Sequence, residues 1–102
     1  MNASWNEDEV FRRLKSIIVE ALRIDPDTVT RQSNILKDFD AESIDLVDIR
    51  FRIEETFGFK VDQEEFIRGL GEGLDPTVII EHITVDRVVN YIMKRLTPQA
   101  AT

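Results

Sequence analysis

Apolar residues near the start of the chain recur at intervals of three and four, from residue 10 to residue 22. This is the spacing of one face of an amphipathic α-helix. Asn6 can cap such a helix, and Glu9 stands where a capping box has its acid. We therefore predict a first helix over about Glu7 to Arg23. It should end there because Asp25-Pro26-Asp27 favours a turn.

Two later stretches have the same periodicity. Ile49, Ile53 and Phe57 repeat every four residues, which predicts a second helix over residues 43–57, ended by Gly58 in a left-handed conformation. A last helix should begin after Thr84. Its core face comprises five apolar residues: Val85, Val88, Val89, Ile92 and Leu96. The pattern predicts an all-α bundle of three main helices and one or two short ones.

The connections between these helices are less regular. Residues 24–42 should form a long loop that is held over the core by four apolar side chains: Val29, Ile35, Leu36 and Phe39. In residues 62–83 we predict one short helix over 63–68 and another that follows Asp75-Pro76. We expect a single domain over residues 1–102, with flexible ends at about 1–5 and 97–102.

Composition limits the classes of function. The formal net charge of −7 disfavours nucleic acid and favours partners with basic surfaces. The alternative is that the acidic surface only keeps a small protein soluble. The absence of cysteine excludes a disulfide framework, a cysteine zinc site and a protein thiol nucleophile. No apolar run approaches the roughly 20 residues of a membrane span. We expect a cytoplasmic monomer without stable membrane insertion.

Ser43 is the main candidate for chemistry, because it opens the second helix between acidic residues. A helix N-terminus favours an attached phosphate through its unpaired N–H groups and its dipole. No histidine stands nearby in sequence to activate the hydroxyl, so another enzyme would have to modify it. The alternative is that Ser43 only caps the helix. We predict neither a catalytic residue nor a metal site, since strong calcium sites need six to eight oxygen ligands.

The run from Asp40 to Asp48, continued from Phe51 to Val61, resembles the second helix of an acyl carrier protein. The signature of that family is Asp-Ser-Leu followed by an acidic helix, and here the tripeptide reads Glu42-Ser43-Ile44. The order of the helices agrees over nearly the whole chain. The resemblance implies a 4′-phosphopantetheine arm on Ser43. A phosphopantetheinyl transferase would attach it from coenzyme A, and its thiol would hold acyl groups as thioesters.

Three apolar residues of the second helix lie outside its predicted buried stripe. Periodicity alone leaves two interpretations, a docking surface ringed by charge or a helix buried on two faces. The resemblance favours docking of acyl-loading, ketosynthase or acyltransferase enzymes with basic patches. The predicted docking residues are Glu42, Ile44, Asp45, Val47, Asp48, Phe51 and Glu54. Arg50 and Arg52 depart from the family pattern, and either shift the choice of partner or pair with neighbouring acids.

The segment 62–83 is longer than in ordinary acyl carriers. It resembles specialised members, including those that supply very long acyl chains for lipid A. Four residues are candidates to line an acyl cavity: Leu46, Phe66, Ile67 and Ile79. The alternative is that the added apolar residues fill an ordinary core. The sequence does not distinguish a carrier for fatty-acid, lipid or polyketide synthesis from a peptidyl or aminoacyl carrier. A noncovalent acidic helical interaction module is a further alternative.

Overall fold

Three α-helices enclose one hydrophobic core in the computed structural model, which describes residues 5–62, 66 and 82–96. Helix α1 spans Glu7–Leu22, α2 spans Ser43–Phe57 and α3 spans Val85–Leu96. A 3-10 helix covers Pro26–Thr28. Within these residues there is no β-strand, although Asn34 and Thr84 form an isolated bridge. The prediction of an all-α fold is confirmed.

The ends of the helices follow the predicted caps. The side chain of Asn6 accepts the N–H of Glu9 at 2.8 Å. Helix α1 ends one residue earlier than predicted because Arg23 adopts a left-handed conformation with φ of 57°. Gly58 ends α2 in the same way, with φ of 80°, a value that glycine adopts without steric cost. The hydroxyl of Thr84 accepts an N–H in the first turn of α3 at 3.2 Å.

The core lies where α1 packs against both α2 and α3. The predicted apolar faces supply most of its buried side chains, which on the helices are Val10, Leu14, Ile17, Ile18, Ile49, Ile53, Phe57, Val85, Val88, Val89, Tyr91 and Ile92. Ala21, Leu22 and Leu96 are only partly buried at its edge. Tyr91 was not predicted to be a core residue.

The long loop between α1 and α2 is held over the core as predicted. Val29 and Ile35 are buried, and Leu36 and Phe39 pack against the core from the side. The N–H of Ile35 donates to the carbonyl of Ile83 at 2.9 Å. Where the sequence predicted a turn at Asp25-Pro26-Asp27, residues 26–28 form the 3-10 helix. There the carboxylate of Asp25 accepts an N–H at 2.9 Å and caps the 3-10 helix.

Arg31 ties this loop to two helices. Its guanidinium donates to Asp86 at 2.9 and 2.6 Å and also to Glu7, and it lies 5.7 Å from the centre of the Phe11 ring. Hydrogen bonding to Glu7 is the largest cause that raises the pKa of Arg31 above its ordinary value, and partial burial opposes it. Arg31 therefore holds the loop against the first turns of α1 and α3.

Other predictions concern the ends of the chain and the segment before α3. The two short helices predicted at 63–68 and after Asp75 lie outside the described residues, apart from Phe66. Residues 1–4 and 97–102 of the predicted flexible ends also lie outside the described residues, so the flexibility of both ends stays a prediction. The ring of Trp5 packs edge-on against Phe57 with centroids 5.0 Å apart. In the part of the chain that the structure describes, no helix has the length and apolarity needed to cross a bilayer.

Candidate functional site

The start of α2 is built by local hydrogen bonds. Glu42 has an extended backbone, with φ of −100° and ψ of 170°, and α2 begins at the next residue, Ser43. The N–H of Glu42 donates to the Asp45 carboxylate at 2.9 Å, and the carbonyl of Glu42 accepts the N–H of Asp45 at 2.9 Å. Ser43 therefore occupies the first position of the helix, where the positive end of the dipole lies.

The chain reaches this helix start through an unusual backbone conformation at Asp40. Its φ of 58° lies in the left-handed region, and Arg23 is the only other non-glycine residue in the described part of the chain with positive φ. This region costs an L-residue about 1–2 kcal/mol, although aspartate tolerates it better than most. Sequence analysis did not identify this position, because aspartate also occurs in ordinary turns.

One face of α2 exposes apolar side chains. Ile44 is 72% exposed, Val47 50% and Phe51 58%. On another side of the same helix, the side chains of Ile49, Ile53 and Phe57 are buried in the core. The helix is therefore not buried on two faces, and its second apolar face lies on the surface beside Ser43. Below we call Ile44, Val47 and Phe51 the apolar stripe.

Acidic residues predicted for docking also have partners within the chain. Asp45 accepts the N–H of Glu42 and so helps to cap the helix. Asp48 accepts a hydrogen bond from Arg52 at 3.1 Å. Both carboxylates stabilise α2, whether or not they also contact a partner.

The structure places Glu54 differently from the other predicted docking residues. Its side chain is only 9% exposed and lies 3.6 Å from Arg50. Its carboxylate accepts the N–H of Val61 at 2.8 Å. Glu54 therefore holds the chain that leaves α2 against the helix, and we do not include it in the docking surface proposed below.

These contacts make the stability of the protein depend on Glu54 ionisation. The Val61 N–H, followed by the charges of Lys60 and Arg50, lowers the pKa of Glu54 below its ordinary value of 4.5, and burial opposes this effect. A lowered pKa in the folded state contributes stability above the ordinary pKa, which is lost as the pH falls through the folded value. We expect Glu54→Gln to reduce the free energy of unfolding near neutral pH and to match the wild type in acid.

Urea unfolding at a series of pH values below about 6 measures this difference. Glutamine keeps the oxygen that accepts the Val61 N–H and removes only the charge, so the variant isolates the effect of ionisation. A constant difference between the two proteins across the series would contradict the role assigned to Glu54.

Arg50 and Arg52 pair with neighbouring acids, which was one of the two outcomes expected for them. Arg52 donates from Nε to Asp48 and from Nη1 to Glu20 of α1, each at 3.1 Å. Arg50 lies 3.6 Å from Glu54. Arg52 therefore links α2 to α1, whereas Arg50 pairs with a residue of α2 itself.

Two of the four predicted cavity residues can be located. Leu46 is partly buried and packs against the core. Phe66 packs against the core as well, with its ring edge-on to Tyr91 at 5.2 Å between centroids. Ile67 and Ile79 lie outside the described residues. Contact of these side chains with an acyl chain stays a prediction. Within the described ranges no three or more histidine, aspartate or glutamate residues cluster as a metal site would require.

The chain is similar to known proteins over most of its length. Residues 12–70, more than half of the chain, match the family described as "Phosphopantetheine attachment site". An acyl carrier protein of Thermotoga maritima is 36% identical over 92 residues, which cover 89% of this chain and 96% of the relative. The acyl carrier protein of Lactobacillus acidophilus is 34% identical over 68% of this chain and 89% of its own length. Acyl carrier protein AcpXL of Brucella melitensis is 37% identical over 66% of this chain and 72% of its own length.

Proposed function

The chain belongs to the acyl carrier protein family, and from this membership we propose that Ser43 is the residue that bears its 4′-phosphopantetheine. Members of the family carry acyl groups on this covalently bound group and are not enzymes. When bound, the group supplies the thiol on which acyl thioesters form.

Comparison of the serines supports Ser43. The residues that match the family include three serines, Ser16, Ser33 and Ser43. Ser16 lies within α1, and Ser33 is buried and bonded to the Thr30 N–H through its hydroxyl at 2.9 Å. Ser43 alone stands at the start of a helix, beside the exposed apolar stripe. This position is the observation that carries the proposal.

The start of α2 fits the chemistry of the attachment. A transferase joins the hydroxyl oxygen of Ser43 to the β-phosphorus of coenzyme A, the bond to the nucleotide breaks, and adenosine 3′,5′-bisphosphate leaves with the electron pair. The hydroxyl proton passes to a base of the transferase, since this chain has no histidine near Ser43 in sequence. The resulting phosphodiester would be anionic, and the first turn of α2 would hold it through its N–H groups and dipole.

We propose that the apolar stripe docks the enzymes that use the carrier. A few large side chains provide most of the affinity in many interfaces, and aromatic residues such as phenylalanine are enriched there. We expect Phe51→Ser to raise the KM of a transferase or ketosynthase for this carrier about tenfold, the equivalent of about 1.4 kcal/mol. The melting temperature should change little, because Phe51 is more than half exposed. Steady-state kinetics and thermal unfolding measure the two effects.

Arg12→Ser is the matched control for this experiment, since it places the same new residue at an exposed position of α1. It should leave KM within about twofold of the wild type. Equal KM values for the Phe51 variant and the wild type would remove Phe51 from the docking surface.

The acyl load is the second part of the proposal. We propose that the carrier works in the cytoplasm and takes acyl chains from fatty-acid or lipid synthesis, with Leu46 and Phe66 near the chain. Loading the phosphopantetheinylated protein with fatty acids of increasing length and with amino acids tests this. Efficient loading of long acyl chains, without aminoacylation, is the expected result. Preferential loading of amino acids would identify a peptidyl carrier instead.

A further inference from the structure

The chain enters α2 through a short connection that is fixed at both ends. On the loop side, the side chain of Asn34 accepts the N–H of Leu36 at 3.0 Å, and the carbonyl of Asn34 accepts the N–H of Asp38 at 2.9 Å. On the helix side, Glu42 takes part in the hydrogen bonds that cap α2. Residues 39–41 therefore have little freedom in how they join the two.

The left-handed backbone of Asp40 directs this connection. Phe39 and Ala41, on either side of it, pack against the core, whereas Asp40 itself is exposed. The φ of Asp40 is 58°, more than about 100° away from the φ of helical or extended backbone. A change of Asp40 to either of those conformations would turn the chain that follows. It would pull Ala41 off the core or separate the groups of Glu42 that cap α2.

A comparison with Arg23 shows that the conformation of Asp40 has no routine cause. Arg23 is the other non-glycine residue with positive φ in the described part of the chain, at 57°. It is the C-cap of α1, where its N–H donates to the carbonyl of Val19 at 2.8 Å and a left-handed residue is common. Asp40 instead lies two residues before the N-cap of α2. Disfavoured backbone that persists in such places is concentrated at functional sites.

We infer that Asp40 is a positioning residue for the modification of Ser43, and that it acts through its left-handed backbone and not through its charge. This conformation keeps the first turn of α2 formed, and so keeps Ser43 at a fixed place relative to Val47 and Phe51 further along the helix. The inference rests on the proposed attachment at Ser43 and on the proposed docking of the transferase on the apolar stripe.

The chemistry of the transfer explains why this position matters. The reacting atoms must come within about 3–3.5 Å of each other in the right orientation, and a misplacement of about 1 Å can reduce the rate about 100-fold. A transferase that docks on Val47 and Phe51 finds Ser43 only if the first turn of α2 is formed. Loss of that turn should therefore lower kcat and leave the KM for the carrier almost unchanged.

Substitutions at Asp40 separate the effect of the backbone from the effect of the charge. Glycine adopts positive φ without steric cost, and asparagine tolerates it as aspartate does. Valine is branched at Cβ and rarely adopts it. Asp40→Gly and Asp40→Asn therefore remove the carboxylate and keep the conformation, whereas Asp40→Val removes both.

The test measures kcat and KM for phosphopantetheinyl transfer to the full chain by one transferase. We expect Asp40→Val to lower kcat about tenfold, with KM within about twofold of the wild type. Asp40→Gly and Asp40→Asn should keep kcat within about threefold. Amide hydrogen exchange in the first turn of α2 should become faster in the valine variant and stay unchanged in the other two, because only valine opens this turn.

Arg23→Val is the matched control, since it places the same branched residue at nearly the same φ in an exposed position at the end of α1. It should lower the melting temperature about as much as Asp40→Val and leave kcat within about twofold of the wild type. All rates are measured well below the melting temperature of each variant. If the valine variant at position 40 does not fold, Asp40→Ala replaces it, with a smaller loss of kcat expected.

Three results would overturn the inference. The first is a kcat of the Asp40→Val carrier equal to that of the wild type. The second is an equal loss in Asp40→Asn, which would show that the carboxylate matters and the backbone does not. The third is an equal loss in Arg23→Val, which would show only an effect of lower stability. A wild-type chain that is not modified at Ser43 is a separate result, because it would overturn the proposed attachment before any variant is compared.

Discussion

Replacing Ser43 by alanine is expected to abolish acyl loading and acyl transfer completely. Alanine removes the hydroxyl oxygen that forms the phosphodiester, so no thiol is attached and no thioester can form. The helix itself should persist, because the carboxylate of Asp45 and the backbone of Glu42 form the hydrogen bonds of its first turn. Loading of a labelled acyl group, followed by electrophoresis and mass spectrometry, measures the loss.

Ser16→Ala is the matched control, since it removes a hydroxyl from α1 within the same matched region. It should leave loading unchanged. Loading of the Ser43 variant at the wild-type level would contradict the proposal, and would move the attachment to another residue or favour a noncovalent interaction module.

Replacing Leu14 by alanine is expected to cause a large loss of stability, about 2–5 kcal/mol. Leu14 has no exposed surface and lies on α1, the helix that packs against both α2 and α3. Alanine removes buried apolar surface and leaves a cavity between helices that cannot fully close. Domains have a free energy of unfolding of only about 5–15 kcal/mol, so the alanine variant should lose a large part of it. Urea unfolding followed by circular dichroism measures the change.

Leu14→Met keeps the volume of the side chain and should cost less than about 1.5 kcal/mol. A loss below about 1 kcal/mol for the alanine variant would mean that α1 does not form the centre of the core. Both variants keep the docking surface of α2, so their kinetic constants should match the wild type at temperatures where they are folded.

The helices could be predicted well because capping residues and apolar spacing lie within each helix or next to it. The bounds of α2 agree with the prediction at both ends, since Ser43 follows the turn at Asp40 and Gly58 can take a positive φ. The exposure of the apolar stripe was open on periodicity alone, and the structure decided it. Helical spacing shows which residues share a face, whereas exposure depends on what packs there.

The contacts that sequence analysis missed join residues far apart in the chain. Arg52 reaches Glu20, 32 residues away, and Arg31 reaches Asp86, 55 residues away. Nothing in the spacing of charges distinguishes these acids from others. The hydrogen bond from the Val61 N–H to Glu54 was missed as well, because an acid on an amphipathic helix has the same pattern whether it faces solvent or accepts a backbone N–H. A docking role for Glu54 stays a prediction.

Locating the modified residue shows whether Ser43 holds the 4′-phosphopantetheine. The wild-type chain is incubated with coenzyme A and a promiscuous phosphopantetheinyl transferase, digested, and sequenced by tandem mass spectrometry. We predict one phosphopantetheine group per chain, on the peptide that contains Ser43, with Ser16 and Ser33 unmodified. A folded chain that stays unmodified while a control carrier is converted, or one modified at another residue, would contradict the assignment of Ser43.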